Sequence, residues 1–117
     1  MKILILDGER TRRNELADTL RTKRSEATPI HGSNAFIEAV EKGKYDLLLI
    51  DMASWCRGRP IYERFGIAKK LENTPILFYN APPKFSALDG RSRHAKDRIL
   101  PLPTETAAVV ASVQENR

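Results

Sequence analysis

Apolar and polar positions are blocked rather than scattered. Ile3-Leu4-Ile5-Leu6 is an unbroken apolar run closed by Asp7-Gly8, the pattern of a short parallel strand covered on both faces. Arg10 to Lys23 predicts a helix: Leu16, Ala17 and Leu20 share a face, and Arg12, Arg13, Glu15, Asp18 and Arg21 take the remainder. A weak strand at Thr28 to His31 runs into Gly32-Ser33, where Ser33 predicts an N-cap. The helix that follows carries Phe36, Ala39 and Val40 and is stopped by Gly43.

The second half repeats the theme. Leu47 to Ile50 is another buried strand, again ending on a carboxylate, Asp51. Pro60 suits the first turn of a helix whose Ile61, Phe65, Ala68 and Leu71 share a face. Ile76 to Tyr79 predicts a strand ending at Asn80-Ala81, and Lys84 to Lys96 is a poor helix with Gly90 inside it. Ile99-Leu100 gives a last short strand, and Thr104 predicts the cap of a final helix bearing Val109, Val110 and Val113.

Strands alternating with helices imply right-handed crossovers. The economical arrangement is α/β, a flavodoxin-like doubly wound five-stranded parallel sheet of order 2-1-3-4-5 with helices on both faces. It occupies residues 1–117 as a single domain and brings Asp7, Asp51 and Asn80 to the C-terminal edge of the sheet.

Composition narrows the chemistry. The 117 residues are 41% hydrophobic and 30% charged, which fits a folded domain. A single cysteine, Cys56, excludes an internal disulfide, and with only His31 and His94 a His/Cys metal cage lacks ligands. Apolar runs are far too short to span a bilayer, and the N-terminus has no export core, so a cytoplasmic location is expected. The net charge of +5 permits nucleic-acid contact. Excesses of +4 over Arg57 to Lys70 and +3 over Lys84 to Arg98 favour it no further, because no zinc-finger spacing, aromatic RNA-binding signature or phosphate loop accompanies them.

Tyr45-Asp46-Leu47-Leu48-Leu49-Ile50-Asp51, together with Ile3-Leu4-Ile5-Leu6-Asp7-Gly8-Glu9, resembles the receiver domain of two-component response regulators. The resemblance covers almost the whole chain. It implies that Asp51 holds the phosphoacceptor position, which a histidine kinase would supply, and that Asp7 and Asp51 are the metal positions for Mg²⁺. It also exposes departures. Gly8 replaces the second acidic residue, Asn80 the Thr or Ser at the end of the fourth strand, Leu102 the Lys before a proline, and Ile99 the aromatic switch residue.

Phosphoryl transfer rests on positioning and charge neutralisation, so losing a carboxylate and the Lys weakens it. Glu9 has the length to approach a metal near Asp7 and Asp51, which leaves weak Mg²⁺ binding open; no other cofactor is expected. Without a ligand, both aspartates would simply bond loop N–H groups, and Asn80 would form a turn. The resulting expectation is an atypical receiver, a pseudo-receiver, with no enzymatic turnover. It would bind a signalling protein, a histidine kinase or a second copy of itself independently of phosphorylation. The interaction face is expected across Lys84 to Val113, with Arg91, Arg93 and Arg98 on it. The alternatives are a receiver phosphorylated on Asp51 and a basic nucleic-acid adaptor.

Overall fold

A computed structural model describes residues 1–52, 74–81 and 97–115, with Ser33 described by its backbone alone. The predicted helix at Pro60 to Leu71, the Lys84 to Lys96 segment and Cys56 lie outside the described residues. Five strands form one parallel sheet: β1 (Lys2–Leu6), β2 (Glu26–Ile30), β3 (Leu47–Asp51), β4 (Ile76–Ala81) and β5 (Arg98–Pro101), in the order β2-β1-β3-β4-β5. The described helices are α1 (Arg10–Thr22), α2 (Ser33–Lys42) and α3 (Thr106–Glu115). The order is the one the block pattern predicted.

Period-two alternation divides the central strands between two cores. Ile3, Ile5, Leu47, Leu49, Leu77 and Tyr79 pack with Leu16, Ala17 and Leu20 of α1 and Val109, Val110 and Val113 of α3. Leu4, Leu6, Leu48, Ile50, Ile76 and Phe78 pack with Phe36 and Ile37 of α2. Both parities are apolar because both faces are covered, which is why these strands read as continuous runs. Register places Leu6 beside Ile50 and Asp51 beside Tyr79, so the strands end together at one edge.

Three local expectations are corrected. β2 begins at Glu26 rather than Thr28, because Ala27 is the buried residue that packs under α1 and pairs with Ile3. Pro29 is tolerated there because β2 is an edge strand. Gly32, not Ser33, takes the N-cap position of α2, and it supplies no side-chain bond. Thr104 does not cap α3, since its hydroxyl is engaged with the end of β4 instead.

Candidate functional site

The chain turns from β1 into α1 through Asp7, Gly8 and Glu9. Asp7 is fully buried, at 0% exposure. Its backbone N–H donates to Ile30 O at 3.0 Å and its carbonyl accepts from Arg13 Nη1 at 2.9 Å, fixing the turn to β2 and α1. Its Oδ1 accepts from the Glu9 N–H at 2.9 Å and from Arg12 Nη2 at 2.8 Å. Its Oδ2 accepts from Arg12 Nε and from the Tyr79 hydroxyl, both at 2.6 Å. An ionised carboxylate offers about four lone-pair sites, so Asp7 is saturated.

Arg12 owes its place to Glu9. The Glu9 carboxylate accepts from the N–H groups of Thr11 at 3.1 Å and Arg12 at 2.6 Å, which caps α1 and sets Arg12 in its first turn. From there the guanidinium folds back over the strand edge. Its Nη2 lies 3.1 Å from Asp51 Oδ1, and its carbon lies 5.8 Å from the centre of the Tyr79 ring. One planar cation thus joins the carboxylates at the ends of adjacent strands β1 and β3, with its side chain only 28% exposed. The hydrogen bond to Asp7 drives the Arg12 pKa above its ordinary value, and the charges of Asp7 and Asp51 act the same way against burial. Burial, followed by the negative charge of Asp7, pushes the Tyr79 phenol well above its usual range. Arg12 therefore stays a cation and Tyr79 a proton donor throughout the neutral range.

Asp51 is 2% exposed. Its Oδ1 also faces Asn80 Nδ2 at 3.3 Å. Asn80 has a left-handed backbone, φ 56°, which Asn adopts more readily than most residues. Its Oδ1 accepts from the Thr104 N–H at 2.8 Å, and its own N–H donates to Thr104 Oγ1 at 2.9 Å. The Thr104 hydroxyl in turn donates to Pro101 O at 2.7 Å. This reciprocal pair joins the end of β4 to the segment before α3.

Asp7, Asp51 and Asn80 therefore meet at one edge. Gly8 is exposed in the turn beside them. Leu102 is 56% exposed, before Pro103 and a cis peptide bond, and Ile99 is half-buried against the α2-side core. Arg98 is exposed on β5, its Nη1 donating to Asp97 O at 2.9 Å; Arg91 and Arg93 lie outside the described residues.

Sequence reasoning missed Arg12, Tyr79 and Thr104. Helical periodicity puts Arg12 in the polar remainder of α1, yet its length lets it return to the strand edge. A Tyr within a buried strand was the available signal for the second, because a buried phenol seeks a partner. Glu9 is also corrected: its carboxylate caps α1 rather than facing the acidic pair.

These residues as they stand do not fit a divalent ion. The lone pairs of Asp7 are committed, Glu9 is turned to the helix, and Gly8 carries no ligand. Among the described residues no three His, Cys, Asp or Glu side chains cluster to hold a metal.

A parallel five-stranded sheet in this order, with helices packed on both faces, is the flavodoxin-like fold that receiver domains share. The chain is similar to the chemotaxis response regulator CheY4 of Vibrio cholerae, with a TM-score of 0.72, 16% identity, and coverage of 99% of this chain and 98% of that one. A two-component response regulator from Clostridium difficile gives 0.70 at 20% identity, covering 99% and 94%. A chain of the complex of histidine kinase ThkA with response regulator TrrA of Thermotoga maritima gives 0.68 at 14% identity, covering 98% and 97%. At these identities the likeness is one of fold. No protein-family model matches the chain, and no curated protein does.

Proposed function

We propose that the chain is a pseudo-receiver, a single signalling domain that binds a protein partner without phosphorylation and without turnover of its own. The observation that carries this reading is the Arg12 fork across Asp7 and Asp51. A phosphoryl group on Asp51 would need cations to neutralise its oxygens. The Arg12 guanidinium, 3.1 Å from Asp51, is already held through Nε and Nη2 by Asp7, and the position before Pro103 carries the exposed, uncharged Leu102. The partner class is a cytoplasmic signalling protein. ThkA, the kinase bound to TrrA in a structure of the same fold, illustrates the type.

The placement of Asp51 at the end of β3 favours a second reading, a receiver phosphorylated there. Mass analysis after treatment with a small phosphoryl donor and Mg²⁺ separates the two. The first reading expects no phosphoryl adduct, and partner association or self-association that is the same for the wild type and Asp51→Asn. A stoichiometric adduct that Asp51→Asn abolishes, along with association, would establish the second.

A further inference from the structure

The corner between β1 and β3 holds two almost fully buried carboxylates and one guanidinium. In a low-dielectric setting a pair of like charges is costly unless a cation lies between them. Arg12 is that cation, and its position is built rather than incidental. Glu9 fixes its backbone, Asp7 binds it through two nitrogens, Asp51 receives one of those nitrogens, and the face of Tyr79 lies beneath it.

We infer that Arg12 is a tethered replacement for a divalent ion, and that its side chain closes a latent cation site formed by Asp7 and Asp51. This inference rests on the pseudo-receiver reading and supplies its physical cause. A guanidinium five residues along the chain from Asp7 is held at high effective concentration. Mg²⁺ must instead shed water and find near-octahedral oxygen ligands, and the Asp7 oxygens it would use already accept hydrogen bonds. Charge arithmetic points the same way. Two carboxylates and Arg12 leave one negative charge, whereas removing the guanidinium leaves two, which a hard divalent ion neutralises. Deleting Arg12 also returns two hydrogen-bonding sites on Asp7 and one contact on Asp51.

The test is a gain of function. Thermal unfolding of the wild type, Arg12→Ala and Arg12→Lys is followed in chelator and across a titration of Mg²⁺ or Mn²⁺. The wild type is expected not to respond. Arg12→Ala should show a saturable rise in its midpoint, with an apparent metal affinity at least about ten-fold above wild type. The double variant Arg12→Ala with Asp51→Asn should lose that rise. Arg12→Lys keeps a cation at the corner and should remain refractory. If Arg12→Ala does not fold in chelator, recovery of a cooperative transition on adding metal is the supporting result.

Failure of metal to stabilise or restore Arg12→Ala overturns the inference, as does a response that survives Asp51→Asn or one already present in the wild type. An Arg12→Ala that ignores metal while the wild type takes no phosphoryl adduct removes only this inference. A wild type phosphorylated on Asp51 removes the pseudo-receiver reading itself.

Discussion

At the β1–β3 corner a guanidinium and a phenol hold two buried carboxylates, whereas at the β4–β5 corner Asn80 and Thr104 exchange bonds between neutral groups. Both corners belong to one sheet edge, and both are closed by the chain's own side chains. They differ in what a substitution leaves behind. Removing a partner at the first corner leaves a charged group in a buried site short of its hydrogen bonds, which costs more than the interaction itself contributes. At the second it leaves neutral groups near the surface, which water can satisfy. The charged corner should therefore govern both stability and ligand access, and the Asn80–Thr104 pair should chiefly hold β4 against the segment before α3.

The largest effect is expected from Asp7→Asn. The new amide sets a donor against Arg12 or Tyr79 at a fully buried position and weakens the charge-assisted bonds made there, while Asp51 still pairs with the guanidinium, so unfolding in urea should show a loss of about 3–5 kcal/mol. An Asp7→Asn loss no greater than that of a Thr104 variant would erase the contrast between the corners. Next comes Tyr79→Phe, which removes one donor to a charged acceptor and should cost about 1.5–3 kcal/mol.

Tyr79 also fixes the sign of a pH dependence. Its folded pKa is raised, so its contribution is fully present below the unfolded pKa of about 10 and is lost as pH rises toward the folded value. Above about pH 10, wild-type stability should therefore fall more steeply than that of Tyr79→Phe, by up to about 1.4 kcal/mol per pH unit. Parallel curves for the two proteins in alkaline urea titrations would contradict the buried, carboxylate-bound phenol.

The neutral corner gives the smallest changes. Thr104→Val should cost about 1 kcal/mol through its lost hydroxyl bonds. Asn80→Ala should be less stable than Asn80→Gly by about 1 kcal/mol, because alanine resists the left-handed backbone that glycine accepts. Equal stabilities for these two variants would mean that the φ of 56° is not retained.

The contrast also marks what the sequence could convey. Strand order and the meeting of Asp7, Asp51 and Asn80 were legible because they follow from apolar runs and crossover rules, which involve every residue of a strand. The ion triad was not, because helical periodicity says which way a Cβ points and nothing about where a long Arg side chain ends. Arg12 sits on the polar side of α1 by pattern and at the sheet edge by contact. Thr104 misled for a related reason: a hydroxyl suited to capping α3 serves equally well as partner to a turned Asn80. In β2, the small Ala27 carried too little apolar signal to reveal that it sits under α1.

The central claim is that the acidic edge is already filled from within, and the most direct measurement is an amide ¹H–¹⁵N spectrum of the wild type titrated with Mg²⁺ and beryllofluoride, a phosphoryl mimic. The account predicts that the resonances of Asp7, Arg12, Asp51 and Asn80 stay where they are in the free protein at every concentration. Saturable, fluoride-dependent shifts at Asp51 and Asn80, with displacement of Arg12, would contradict it.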